Sequence, residues 1–198
     1  MTDSRGIYQG QQLSPPEKEV LLELEVLLGE PIPSLNFVDS FKFGFVTRKG
    51  HLIRLGIARK GLERLPGRFG NLSSLEELAI LSNKLEVLPE SIGRIKPLRF
   101  LSVVNNRLKT LPDSIGQLKS LQFLYLNDNQ LETLPESIGQ LAVLQRLNLR
   151  NNQIRSLPRT MTDLRNLELL WIENNPLDDV GNELLKRLQS KGVSTDAH

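Results

Sequence analysis

One apolar template occurs six times in this chain, at a constant spacing of 23 residues. Leu or a close substitute stands at offsets 1, 4, 6, 11 and 14 of the template, Pro usually follows at 15, and Gly usually stands at 19. A fixed period of this length predicts a solenoid, in which each repeat buries its apolar residues against its neighbours. Because solenoids mostly present a surface and do not enclose a reaction, the period favours binding over catalysis. The copies begin at Leu52, Leu75, Leu98, Leu121, Leu144 and Leu167.

Each copy also predicts one short strand. Offsets 4 and 6 are expected to point into the core and offsets 3, 5 and 7 to point out, because side chains alternate along a strand. Offset 9, where the chain leaves the strand, is Asn in five copies, and its amide can pair with backbone groups that stacking would bury. The first copy has Lys60 there, so we expect this Asn ladder to begin at the second repeat.

The pattern Leu-x-x-Leu-x-Leu-x-x-Asn-x-Leu-x-x-Leu-Pro-x-x-Ile-Gly-x-Leu resembles the leucine-rich repeat, over residues 52 to about 180. Its 23-residue Leu-Pro form is similar to that of intracellular scaffolds that bind Ras-type GTPases and of many prokaryotic proteins. Residues 24–33 and 43–46 are similar to the N-terminal cap of archaeal and bacterial members. The resemblance implies an α/β solenoid with a curved parallel β-sheet on the concave face and an irregular or short helical convex side. It also implies protein binding on the concave sheet, without naming the partner.

The N-terminal part predicts a tail and a cap. Residues 1–12 are polar and are expected to be disordered. Residues 13–51 are expected to cover the first repeat, with a helix over 15–28 and a Phe-rich strand over 37–47 that forms a hairpin with the strand of the first repeat. The sequence Ser-Pro-Pro-Glu at residues 14–17 predicts the helix start, with Ser as N-cap and Glu completing a capping box.

The C-terminal part follows the six repeats, which we assign to residues 52–181. Residues 182–198 are expected to form a capping helix and a tail. In this prediction Asn182 caps a helix over 183–190, and residues 193–198 are frayed.

The exposed offsets 3, 5 and 7 predict a binding site, because the template leaves their residue types free. The chain has seven Phe, two Tyr and one Trp, and four of these aromatic residues fall on these offsets. Aromatic residues beside Arg are typical of interface hot spots. The alternative is that the rings only pack on each other and stabilise the sheet, as Phe100 could on Phe123. The predicted partner-binding residues are Phe100, Phe123, Tyr125, Arg146, Arg150, Trp171, Leu81, Val104 and Leu169.

The predicted function is non-enzymatic protein binding through the concave face. Two alternatives remain open at this point. One is a regulator or scaffold of a small GTPase, which the resemblance implies. The other is a structural module that associates with copies of itself through the same apolar surface.

Several kinds of chemistry are not expected from this sequence. It contains no Cys, which excludes disulfides and thiol catalysis and, with no apolar run like a signal peptide, favours a cytoplasmic location. His51 and His198 lack partners at ligand spacing, and no nucleotide-binding fingerprint occurs, so neither a metal nor a cofactor is predicted. The net charge of +2 gives no argument for nucleic acid, and no segment reaches membrane-spanning length.

A cluster of basic residues lies near the first repeat. We expect it to be a solvated face, partly neutralised by the acidic helix, and its alternative role is binding of an acidic partner. The cluster comprises Arg48, Lys49, Arg54, Arg59, Lys60, Arg64 and Arg68, and continues to Lys84 and Arg107.

Overall fold

Successive repeats contribute successive strands to one sheet. A computed structural model of the protein describes residues 7–35 and 43–195, and within them this sheet has eight strands. Their bounds are β3 Gly44–Arg48, β4 His51–Ala58, β5 Glu77–Leu81, β6 Phe100–Ser102, β7 Phe123–Tyr125, β8 Arg146–Asn148, β9 Leu169–Trp171 and β10 Ser194–Thr195. The strands lie side by side in the order β10-β9-β8-β7-β6-β5-β4-β3, and all neighbours are parallel except the antiparallel pair β3 and β4.

The returning side of each repeat carries a short 3₁₀ helix. Four of the five such helices in the described residues begin directly after the template Pro, whose missing N–H is not needed there. Strands on one side and 3₁₀ turns on the other enclose one Leu-rich core, so the predicted α/β solenoid is confirmed. The 3₁₀ helices span Phe69–Asn71, Glu90–Arg94, Asp113–Gln117, Glu136–Gln140 and Arg159–Asp163.

The 23-residue step sets the register of the sheet. It places Leu101, Leu124 and Leu147 directly opposite one another on β6, β7 and β8, and all three are fully buried. Burying one such side chain contributes about 1.5–3 kcal/mol. Because every repeat adds several, the columns of stacked Leu are the main stabilising feature of the fold.

The Asn ladder satisfies backbone groups between repeats. The Asn129 Oδ1 atom accepts a hydrogen bond from Leu108 N (3.0 Å), while its Nδ2 atom donates to Val103 O (2.8 Å) and Leu126 O (3.0 Å). The ladder begins at the second repeat, as predicted, and Lys60 in the first repeat instead pairs with Glu30 (2.8 Å). The same two-sided arrangement occurs at Asn83, Asn106, Asn152 and Asn175.

The Gly residues at offset 19 permit close stacking on the returning side. A Cβ atom on Gly116 would lie 2.4 Å from the carbonyl oxygen of Ser137 in the next repeat, far inside a normal contact. In the fifth repeat the residue at this offset is Thr162, and no 3₁₀ helix follows it in the described part of the sixth repeat. Gly therefore occupies offset 19 in those repeats whose 3₁₀ helix is followed by the 3₁₀ helix of a next repeat. The equivalent Gly residues, equally close to the next repeat, are Gly70, Gly93 and Gly139.

The N-terminal segment differs from its prediction. Residues 7–12 form an antiparallel hairpin of β1 (Ile7–Tyr8) and β2 (Gln11–Gln12), so the prediction of disorder is wrong for this part, and residues 1–6 lie outside the described residues. Tyr8 is 5% exposed, packs on Phe45 at 5.6 Å between ring centroids, and donates a hydrogen bond to Glu25. Burial and this hydrogen bond raise the pKa of Tyr8. One buried ring thus anchors a polar hairpin.

Helix α1 spans Pro15–Leu28, as predicted, but the capping box does not form. Ser14 Oγ donates to the Glu17 carboxylate (2.6 Å) and makes no hydrogen bond to the helix backbone. The other carboxylate oxygen of Glu17 accepts from Leu52 N (3.1 Å), so this buried side chain connects the helix to the first repeat.

The strand predicted over 37–47 is described only in part. Its first described residue in the sheet is Gly44, and Phe37 and Phe41 lie outside the described residues. Phe45 is fully buried and Phe43 packs partly buried against the core, consistent with their expected covering role.

The C-terminal helix starts earlier than predicted. Helix α2 spans Asp179–Ser190, and its N-cap is Asp178, whose side chain accepts from Gly181 N (2.8 Å). The assignment of Asn182 as cap is therefore wrong. The prediction of a frayed tail is wrong for residues 193–195, because Val193 is 6% exposed and β10 pairs with β9 directly after it, and residues 196–198 lie outside the described residues.

We predict that Gly116→Ala destabilises the protein by about 1–3 kcal/mol, because the added methyl group must separate two stacked repeats. The control is Gly67→Ala, where an added Cβ meets no atom within 4 Å. This variant should be no less stable than the unmodified protein, because Ala lowers the conformational entropy of the unfolded chain. Urea unfolding followed by circular dichroism measures both. Equal unfolding midpoints for the two variants would contradict the close-approach argument.

Candidate binding surface

The solvent side of β4–β9, which we call the concave face, carries offsets 3, 5 and 7 of every repeat. Strand pairing aligns these offsets into columns, so residues 23 apart in sequence become neighbours. One column at offset 3 contains Phe100, Phe123, Arg146 and Leu169. The adjacent column at offset 5 contains Ser102, Tyr125, Asn148 and Trp171.

Three partly exposed rings form a continuous aromatic arc across the concave face. Phe100 and Tyr125 have ring centroids 5.6 Å apart, and Tyr125 and Trp171 have centroids 6.2 Å apart. Strands β7 and β9 are about 10 Å apart, at ~4.8 Å per strand, so the Tyr125 and Trp171 rings lean toward each other across β8. All three rings lie outside the hydrophobic core.

The fourth predicted aromatic residue has a different contact. The guanidinium carbon of Arg146 lies 5.7 Å from the centroid of the Phe123 ring, within the range of a cation–π interaction. Among the described residues, Phe100 makes its ring contact with Tyr125 and not with the neighbouring Phe123. The simple packing pair of Phe100 and Phe123 that the sequence suggested is therefore not the arrangement found.

The two predicted arginines differ in their charge environment. Arg150 Nε lies 3.3 Å from a carboxylate oxygen of Glu173 on the next repeat. Arg146 is exposed and makes no ion pair with any carboxylate in the described ranges. The 23-residue step was the available signal for this difference, because it places Glu173 beside Arg150 and Leu169 beside Arg146.

The aliphatic members of the predicted set lie on the same face. Leu169 follows Arg146 in the offset 3 column, beside the arc. Leu81 on β5 and Val104 just after β6 both occupy offset 7 and are partly exposed. The structure thus places all nine predicted residues on one face, with the aromatic residues concentrated on β6–β9.

The residues at offset 8 form a polar edge that the sequence analysis missed. All six adopt a left-handed backbone conformation, with φ between 54° and 58°, and five of the six are Ser, Asn or Asp. Asn and Asp tolerate this conformation better than most residues. Asn174 Nδ2 donates to Asn151 Oδ1 (2.6 Å), and Asn151 Nδ2 donates to Asp128 Oδ1 (2.6 Å). Short polar residues recurring every 23 positions were the available signal.

The basic cluster near the first repeat is partly paired within the chain. Arg68 contacts Glu19 (2.6 Å) and Glu23 (3.4 Å) of α1, and Arg54 contacts Glu77 (2.9 Å). The contacts of Arg68 confirm the expected partial neutralisation by the acidic helix, and Lys60 pairs with Glu30 just after this helix. Such exposed pairs contribute only about 0–1 kcal/mol each, but they neutralise part of the charge of the cluster.

Two other kinds of site are absent from the described residues. No set of three or more His, Asp or Glu side chains within residues 7–35 and 43–195 is arranged to hold a metal ion. None of the helices in these ranges combines the length and the apolar character that a membrane span requires.

A parallel sheet built from stacked 23-residue repeats, with an Asn ladder and 3₁₀ returns, defines the class of repeat solenoids. The chain belongs to the leucine-rich repeat family. One family model, described as a leucine-rich repeat region, matches residues 24–128, and a second, described as leucine rich repeat, matches residues 119–177. The resemblance drawn from the sequence is confirmed. Domains of this family generally mediate protein–protein interaction and are typically non-enzymatic.

Solved structures are similar over most of the chain. A leucine-rich repeat protein of Leptospira interrogans is 35% identical, with a TM-score of 0.68, and the match covers 74% of this chain and 37% of that protein. The ectodomain of the receptor kinase SOBIR1 from Arabidopsis thaliana is 23% identical, with a TM-score of 0.68 and coverage of 84% and 96% respectively. A plant ice-binding protein is 22% identical, with the same TM-score and coverage of 83% and 57%. These last two show the fold alone. No curated protein sequence matches the chain.

Since Trp171 is the only Trp of the chain, its fluorescence reports on the arc. We predict that Tyr125→Ala shifts the emission to longer wavelength, because the Trp171 ring loses its neighbour and gains contact with water. The matched control is Phe123→Ala, an aromatic truncation on the same strand whose ring makes no contact with Trp171 among the described residues. Equal shifts in both variants would contradict the described arc.

Proposed function

We propose that this chain is a non-enzymatic protein-binding module whose partner docks on the concave face across β6–β9. The carrying observation is the aromatic arc of Phe100, Tyr125 and Trp171, which lies partly exposed on a sheet beside Arg146. Contiguous exposed apolar surface is uncommon on a monomer without a partner. Aromatic residues and Arg are the residue types that most often supply interface binding energy.

The scaffold supports this role because it holds the rings before a partner arrives. Each ring projects from a strand that is hydrogen-bonded on both sides, and the arc rings also contact one another. A preordered side chain loses less conformational entropy on binding, which otherwise costs about 0.5–1.5 kcal/mol per immobilised side chain. Binding to this face therefore needs little rearrangement of the repeat domain.

Two narrower candidates concern the identity of the partner. A small GTPase is supported by the resemblance of the 23-residue template to Ras-linked scaffolds. Pull-downs with GTP-loaded and GDP-loaded GTPases of the same organism test it, and equal recovery in both states removes it.

Self-association is supported by the apolar character of the arc. Light scattering across a dilution series tests it, and a mass independent of concentration removes it. A cytoplasmic location, as expected for a chain without Cys, is part of the proposal.

We predict that Trp171→Ala and Phe123→Ala each weaken partner binding by at least about 1 kcal/mol, roughly fivefold in Kd, because each removes an aromatic anchor. Affinity purification from the native cell, followed by titration of the recovered partner, measures this loss. Val87→Ala serves as the control, since Val87 is 56% exposed and lies outside offsets 3, 5 and 7. The melting temperatures of all three variants should stay close to that of the unmodified protein.

The competing explanation is that the rings only stabilise the sheet, since aromatic pairs contribute about 0.5–1.5 kcal/mol beyond their burial. A large fall in melting temperature with unchanged recovery of the partner would support that explanation and contradict the proposal.

A further inference from the structure

Ion pairs across adjacent strands neutralise two arginines of the concave face. Arg54 on β4 pairs with Glu77 on β5 at 2.9 Å, and Arg150 after β8 pairs with Glu173 after β9 at 3.3 Å. Arg146 occupies an equivalent outward offset on β8 but forms no ion pair within the described residues. Arg146 therefore carries the one charge on β6–β8, and that charge has no carboxylate partner among the described residues.

Apolar side chains surround Arg146. At its own offset it stands between Phe123 on β7 and Leu169 on β9, and the Phe123 ring lies 5.7 Å from its guanidinium carbon. Two residues further along β8 stands Asn148. At this level the rings of Tyr125 on β7 and Trp171 on β9 contact each other across β8. An Arg that stacks on a ring keeps the N–H donors of its planar fork available, and these match a carboxylate in a two-point hydrogen bond.

No acidic side chain of the third, fourth or fifth repeat stands at an outward offset where it could pair with Arg146. Offsets 3, 5 and 7 of these three repeats contain neither Asp nor Glu. Glu77 on β5 and Glu173 just after β9 flank these repeats, and each is already in contact with an Arg. The centre of the concave face therefore combines apolar surface with a positive charge and favours a partner of the opposite charge.

We propose that the partner is a protein segment that places an Asp or Glu side chain on Arg146 and an adjacent aromatic or aliphatic side chain on the aromatic arc. This inference rests on the proposed function. The two subsites lie about 6.6 Å apart along β8, at ~3.3 Å per residue. An extended segment spans this distance between alternate residues, and a helix spans it between residues three or four apart.

A library of random peptides displayed on phage, selected on the immobilised full chain, tests this recognition. Phage particles that also bind the Arg146→Glu, Trp171→Ala double variant are removed first. The selected peptides should be enriched in Asp or Glu within four residues of an aromatic residue or Leu. Because these peptides carry no phosphate, their acidic group is a carboxylate.

A charge-swap experiment follows, in which the charge of residue 146 and the charge of the acidic peptide residue are both reversed by substitution. Capture of the selected peptides should fall about tenfold on Arg146→Glu and should recover when Lys replaces the acidic residue of the peptide. Recovery excludes misfolding as the cause of the loss. The matched control is Arg94→Glu, a charge reversal of an exposed Arg on a 3₁₀ helix of the opposite side, where capture should not change.

The remaining outcomes separate this inference from the proposed function. Peptides that need Trp171 but not Arg146, with no excess of Asp or Glu, overturn the acidic partner and leave the binding face in place. If every bound peptide also binds the double variant, so that none remains after the removal step, both are overturned.

Discussion

The close parallel stacking of one repeat on the next is the constraint on which the rest of this structure depends. Strands must approach to about 4.8 Å, and this approach buries backbone groups that have no partner within their own repeat. Asn at offset 9 meets the polar requirement, since one amide serves the turn of its own repeat and of the preceding one. Gly at offset 19 meets the steric requirement on the returning side, where a Cβ atom would collide with the next backbone.

The same constraint explains where the template changes. Lys60 replaces Asn in the first repeat, which no earlier repeat precedes, and its side chain contacts Glu30 and the Phe43 ring of the N-terminal cap. Thr162 replaces Gly in the fifth repeat, and the 3₁₀ turns end there. The departures from the repeat therefore mark the ends of the stack and are themselves adaptations to a missing neighbour.

Much of the fold could be predicted, because the 23-residue repeat period and the alternation of side chains along each strand together permit one arrangement of the strands. A 23-residue step must bring Phe100 beside Phe123, and alternation must keep both out of the core. Details that depend on a single side chain could not be predicted in this way. The anchoring of Tyr8 requires a cavity made by distant residues, and the choice of Asp178 over Asn182 as helix cap depends on local backbone direction. By contrast, the different environments of Arg146 and Arg150 follow from the same 23-residue step, which places Leu169 beside Arg146 and Glu173 beside Arg150.

The concave face is divided along the solenoid. On β4 and β5 most outward residues are small, such as Gly56 and Ala79, or charged and mutually paired, as Arg54 and Glu77 are, and Leu81 is the apolar exception. All four aromatic residues of the face stand on β6, β7 and β9. The polar edge at offset 8 borders them, and its Asp128, Asn151 and Asn174 side chains are hydrogen-bonded to one another. Ordered polar groups at the rim and preformed apolar groups at the centre are the usual distribution in a protein interface. The repeat scaffold permits this distribution, since outward offsets are free to vary while every inward offset is fixed by stacking.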